Sequence, residues 1–276
     1  MQLIIILFFS QIAFSESFIP KNTLHLDKEN FAQGGITEVQ FNQVIDKVEK
    51  IYSSVVTDAG ANLIMNRKWK DNTVNASAEQ KGKDWHVNMF GGLAKFRTIT
   101  IDGFTLVLCH ELGHHLGGSP KYKERLTWAT NEGQADYWGT IKCLRRVWEL
   151  EDNQEAIRTL KISKFLESRC IQEWKTTPEQ ALCIRTGQAG NSVAGLFSAL
   201  GRTPPPWFER PDQNEVEETF DLHPRAQCRL DTYFQGALCE RSFKEDVSFE
   251  SEVIGTCHRL NGETKGLRPA CWFKSN

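Results

Sequence analysis

The stretch Cys109-His110-Glu111-Leu112-Gly113-His114-His115-Leu116-Gly117 decides the fold, together with a second polar cluster at Asn131-Glu132-Gly133-Gln134-Ala135-Asp136. On an α-helix, residues four apart lie about 40° apart around the axis and about 6 Å along it. His110 and His114 can therefore face one zinc ion, with Glu111 beside that face. Catalytic zinc takes three protein ligands and keeps a fourth position open. Glu132 lies 132 − 114 = 18 positions after the second histidine, in the first turn of the next helix, and is the candidate third ligand. Asp136 follows four residues later on the same helix face. There it can accept a hydrogen bond from the outer nitrogen of a ligand histidine and set its tautomer. Zn2+ lowers the pKa of a water to about 7, and Glu111 is placed to take that proton as general base while the water attacks a carbonyl.

Residues His110 to Gly117 also open a HExxHxxG pattern, which calls for a further ligand at position 120 and a methionine turn downstream. Position 120 is Pro120, and Met1, Met65 and Met89 all lie upstream, so that reading fails. Outward from the motif, Thr37 and Gln40 form a capping box. It opens a helix whose apolar face is Phe41, Val44, Ile45, Val48, Ile51, Tyr52, Val55 and Val56, and Gly60 ends it. Residues 62–95 read as short strands, with alternation at Trp85-His86-Val87-Asn88-Met89 broken by Gly91-Gly92. Helices are expected over Thr100–Leu116, Asn131–Leu150, Asn153–Trp174 and Glu179–Leu200. An irregular proline-rich segment, 201–222, precedes a helix expected from Pro224 to Ala237. Residues 16–35 read as an extended lead-in.

The 276 residues carry 33 Lys plus Arg against 35 Asp plus Glu, and no basic stripe with interleaved aromatics marks a nucleic-acid partner. Leu3 to Phe14 is an apolar run too short to span a membrane, and Ala13-Phe14-Ser15 offers small residues where a signal peptidase reads. Residues 1–15 are therefore expected to be a signal peptide. Residues 16–276 would be a single metallopeptidase domain with a disulfide-rich C-terminal part and no membrane span. Eight cysteines, none in a CxxC pair, fit export to the periplasm or the extracellular space. Cys228–Cys239 and Cys257–Cys271 are the local disulfides expected first. Cys109 and Cys143, one on each ligand helix, are consistent with a bridge or with two buried thiols.

The chain resembles the zinc peptidases of the HtpX and CAAX prenyl protease type. The resemblance rests on HExxH at His110–His114, on Glu132 to Asp136 as an ExxAD element, and on Asn75-Ala76-Ser77-Ala78 and Gly92-Leu93. His223-Pro224, with Arg229 six residues after the histidine, completes it. The resemblance implies an α+β, zincin-like mini-gluzincin, in which a small mixed sheet packs on the helices that carry the ligands. It implies an edge strand at Trp85, Val87 and Met89 that binds substrate backbone by strand addition. It also implies that His223 lies near the metal, as a transition-state hydrogen-bond donor or an auxiliary ligand. By helical spacing Arg229, six residues on, would lie nearly two turns deeper and could anchor the helix to a carboxylate such as Asp136. The interval from His114 to Glu132 is shorter than that family usually has, and its transmembrane helices are absent. His115, about 140° round the helix from His110, reads as a surface or packing histidine, and His25, His86 and His258 as structural. The expected function is a secreted or periplasmic zinc endopeptidase acting on proteins or peptides. The alternative is a latent, chaperone-like binding module whose zinc site is blocked by His223.

Overall fold

A computed structural model describes residues 15–20, 26, 35–124 and 126–275. The expected signal peptide lies outside the described residues apart from Ser15, as does His25. In chain order the elements are β1 (Ser15–Ser17), α1 (Glu38–Asp58), β2 (Asn62–Lys68), β3 (Ala76–Lys81), β4 (Asp84–Phe90), α2 (Gly91–Ala94) and α3 (Ile101–Leu116). There follow α4 (Glu132–Trp138), a π-helical turn (Gly139–Cys143), α5 (Leu144–Val147), α6 (Asn153–Ile157), α7 (Lys164–Glu173), α8 (Thr177–Gly201) and α9 (Ala226–Ala237).

The class is mixed α/β, with one small sheet among the described residues, of order β1-β3-β4-β2. β2 and β4 are parallel, while β3 runs antiparallel to both β4 and β1. α1 begins as the sequence requires, because the Thr37 hydroxyl accepts from Gln40 N and the Gln40 side chain accepts from Thr37 N. Its buried stripe, Phe41, Val44, Ile45, Val48, Tyr52 and Val56, covers the main core. Each fully buried side chain of this size contributes roughly 1.5–3 kcal/mol.

α3 runs through the middle of the molecule. It packs against β3 and β4, α1, α4 and α8, so residues 103–115 are buried on every side. Gly113 permits the crossing with α4, since a Cβ there would lie 3.0 Å from the Ala135 backbone. The C-terminal part of the chain closes over α4: Trp272 stacks on Gly133, and its indole N–H donates to the Thr232 hydroxyl.

Four expectations need correction. The helix expected over 153–174 is two helices, because Asp152 caps one and the Ser163 hydroxyl, accepting from Phe165 and Leu166 N, starts another. The helix expected from Pro224 begins at Ala226 with Arg225 as its extended N-cap, so Pro224 and His223 stand outside it. A residue before proline is driven to extended geometry, which keeps His223 from joining the helix. The cysteines pair as Cys109–Cys143, Cys170–Cys183, Cys228–Cys271 and Cys239–Cys257, none remaining free. The expected local pairs are thus exchanged, because the tail folds back across α9 and does not close on itself. Finally, β4 lies inside the sheet, hydrogen-bonded on both sides, so Trp85, Val87 and Met89 offer no free edge.

No helix among the described residues is long and apolar enough to cross a membrane. Four disulfides are compatible with an oxidising compartment. The Cys228–Cys271 bridge spans 43 residues, for which loop-closure entropy gives about 4 kcal/mol. Replacing both cysteines by serine is therefore expected to lower unfolding stability by that order in a denaturant titration. Peptide mapping without reductant checks the four pairings directly.

Candidate metal centre

Two helix starts set the site. α3 is capped by Thr100, whose hydroxyl accepts from Gly103 N, and it carries His110, Glu111 and His114. α4 is capped by Asn131, whose side-chain oxygen accepts from Gln134 N while its amide donates to Asp221. That cap places Glu132 in the first turn of α4. The two helices are tied at their ends: Gln134 donates to the Gly117 carbonyl at 2.9 Å, and the Thr130 hydroxyl donates to the Gly118 carbonyl at 2.7 Å. The Cys109–Cys143 bridge links α3 to the π-helical turn that continues α4.

These constraints bring His110, His114 and Glu132 together, all fully buried, with one potential ligand atom from each within 4.8 Å of the others. His110 Nε2 lies 3.5 Å from Glu132 Oε2, and His114 Nε2 lies 3.6 Å from Glu132 Oε1. Neither histidine Nε2 has a hydrogen-bond partner among the described residues. A tetrahedral ion with bonds of 2.0–2.1 Å would hold its ligands about 3.3–3.4 Å apart. The spacing fits, and the trio could bind a metal ion.

The outer nitrogens fix the tautomers. His114 Nδ1 faces the Thr130 carbonyl at 2.8 Å and must donate to it, which leaves the Nε2 lone pair turned inward. His110 Nδ1 donates to Asp136 Oδ1 at 2.7 Å. Burial lowers the pKa of both histidines, His114 strongly because His110 adds to the effect, and it keeps the rings neutral as metal ligation requires. Burial alone would raise the pKa of Asp136. Arg229 and His110 outweigh that and hold it ionised, below the ordinary carboxylate range.

Asp136 Oδ1 also accepts from Arg229 Nη2 at 2.7 Å and from the Tyr233 hydroxyl at 2.9 Å. The contact between Arg229 and Asp136 is the one expected from the helical offset of Arg229. The Arg229 guanidinium is fully buried, stacked over Phe18 and Phe197, with Nη1 at 3.7 Å from Glu132 Oε2. His223 also joins the cluster: its Nε2 lies 3.4 Å from Glu132 Oε1 and 2.7 Å from the Ser17 carbonyl oxygen. Because a carbonyl only accepts, that nitrogen carries the proton. Burial, with Arg229 adding to it, lowers the His223 pKa to about 4, so the ring is neutral at neutral pH.

Glu111 is fully buried on α3, next to His110. His115 is a packing residue, stacked between Trp85 and Trp128 at centroid distances of 5.0 Å on each side. His86 meets the Asn66 amide, and His258 caps a short 3-10 turn. Val87 and Met89 are core residues.

Several contributors escaped the sequence reading. The Tyr122 hydroxyl donates to Glu132 Oε1 at 3.1 Å from the loop between the ligand helices. Tyr233 stands four residues after Arg229, so helical spacing from Arg229 could have located it. Phe18, whose ring lies edge-on to His110 at 4.8 Å, had no sequence signal. No protein family, curated protein or solved structure matches the chain.

Asp136→Asn keeps the shape but takes away the closer carboxylate partner of Arg229, leaving Glu132 at 3.7 Å, and weakens the hold on His110. Losing such an outer partner typically costs 10–100-fold in metal affinity. The expected result is a drop of about that size in a chelator-competition titration.

Proposed function

We propose that the chain is a zinc-dependent endopeptidase, exported to the periplasm or beyond, acting on protein or peptide substrates. The observation that carries this reading is the convergence of two neutral imidazole nitrogens and a carboxylate, with a second carboxylate, Glu111, on the same helix. A donor set of two nitrogens and one oxygen suits zinc and leaves a coordination position for substrate chemistry. A bound zinc would supply a Lewis acid that activates water and polarises the carbonyl under attack. His110, His114 and Glu132 would hold it, and Asp136 with Arg229 would keep His110 in the required tautomer. Glu111 would remove the proton from water and pass it to the departing amine. His223, protonated at Nε2, would donate to the oxygen on which negative charge develops. The resemblance to the HtpX and CAAX prenyl protease type supports the same assignment.

The alternative, a latent binding module with His223 closing the metal's open position, would need the Nε2 lone pair turned toward the ion. The proton that the Ser17 carbonyl requires on this nitrogen favours the donor role.

Metal analysis of the purified protein should find one zinc per chain, and a chelator should abolish cleavage of unfolded casein. Glu111→Gln is expected to retain zinc while cleavage falls by about 10²–10⁴-fold. Activity close to that of the unaltered chain would remove Glu111 from the base role. His223→Ala is expected to lower kcat by about 10²–10³-fold, with little change in zinc content. A rise in activity would favour the latch.

A further inference from the structure

β3 is the strand beside the metal centre whose outer edge could receive an extended peptide, and that edge is taken. β1, the segment Ser15–Ser17, pairs with it antiparallel in the register Ser15↔Glu79, Glu16↔Ala78 and Ser17↔Ser77. The pairing continues with Phe18 N donating to the Ala76 carbonyl at 3.0 Å. Asn75 then clamps the next residue, its side chain accepting from Ile19 N and donating to the Ile19 carbonyl, both at 3.0 Å.

The orientation of one peptide bond follows from this pairing. In a trans peptide the C=O and N–H point in opposite directions. Since Phe18 N–H faces β3, the Ser17 carbonyl faces away from it, toward His223. That carbonyl oxygen lies 2.7 Å from His223 Nε2, which is itself 3.4 Å from Glu132 Oε1, so it is at most 2.7 + 3.4 = 6.1 Å from a ligand atom. The Phe18 carbonyl accepts from Arg229 Nη1 at 3.2 Å. The Phe18 ring is fully buried beside His110, Phe197 and Arg229.

An extended backbone on the sheet edge, an aromatic side chain sunk beside a ligand histidine and a carbonyl held by the proposed donor are what a bound peptide would present. We propose that the segment Glu16–Pro20, which follows the expected signal peptide, is a built-in competitor that occupies the peptide-binding edge of β3 and must leave before a substrate can enter. The inference rests on the endopeptidase reading and adds the regulation of that site. Strand addition supplies affinity through the backbone, and the side-chain pocket supplies specificity. The occupant therefore also describes the substrate class: an extended chain with a large apolar residue directly after the carbonyl that His223 holds.

Two variants of the full chain test this in opposite directions. Phe18→Ala withdraws the buried ring, while Ser17→Cys with Ser77→Cys joins two facing residues and locks the segment in place. Apparent affinity scales with the fraction of molecules whose site is open, so Phe18→Ala is expected to lower KM for casein-derived peptides about tenfold or more. The synthetic peptide Glu-Ser-Phe-Ile-Pro should inhibit that variant competitively, and its Phe-to-Ala version should not. The locked chain, oxidised and carrying zinc, should cleave at less than about a tenth of the unaltered rate, since its open fraction is removed. Cleavage by the locked chain at the unaltered rate would overturn the proposal and make the segment a fixed wall of the site, whether or not Phe18→Ala folds. If no form cleaves anything, the endopeptidase reading fails. Fluorescence anisotropy of the labelled peptide on the doubly substituted Glu111→Gln, Phe18→Ala chain then still decides the docking, with binding upholding it and no binding overturning it.

Discussion

Asp136 is buried completely, yet three elements depend on its charge. One oxygen accepts from His110 on α3 and from Arg229 and Tyr233 on α9, while the residue itself belongs to α4. A carboxylate held this way cannot be neutralised without leaving a buried guanidinium with only the more distant Glu132, 3.7 Å away, to balance it. Removing one partner of a buried pair typically costs 3–5 kcal/mol. The same group therefore orients a candidate metal ligand and fixes the crossing of three helices. Its ionisation is maintained by Arg229, which is prevented from reaching water by Phe18 and Phe197 stacked over it.

The surroundings can be understood as the means of sustaining that charge cluster. Gly113 lets α4 approach α3, and Gly133 accepts Trp272 against the back of α4. The Cys109–Cys143 bridge attaches the π-helical turn that continues α4 to α3, and Cys228–Cys271 attaches α9 to the C-terminal tail. Asp221 ties the end of the irregular segment to the Asn131 cap and to Lys123 N, so this proline-rich stretch is fastened at the site and not merely draped over it. Each of these contacts limits motion of the elements that carry His110, His114 and Glu132. A site of this kind is stiff before any ion arrives, which lowers the ordering cost of binding one.

Much of the site was legible in the chain because its geometry is local. His110 and His114 are related by helical periodicity, Glu132 and Asp136 by the same period one helix later, and Thr37, Thr100 and Asn131 mark helix starts through their own side chains. The expected link from Arg229 to Asp136 followed from the expected position of Arg229 nearly two turns into its helix, and it is present. The expected substrate strand at Trp85, Val87 and Met89 was misplaced. Alternation identifies a strand but not its neighbours, and β4 gains partners on both sides only when the sheet assembles.

The order of residues alone specifies the helix that carries HExxH, the capped helix that carries Glu132 and the amphipathic face of α1, each a matter of spacing within a few turns, and composition alone supplies the even cysteine count. Tertiary structure decided which cysteines meet, that Tyr122 and Tyr233 reach the two carboxylates, and that Ser17 and Phe18 lie against His223 and His110. The reason is physical. A period within one element survives in the order of residues, whereas a contact across 206 positions, such as His223 with Ser17, is created only when sheet edge, helix and tail are packed around the same buried charges.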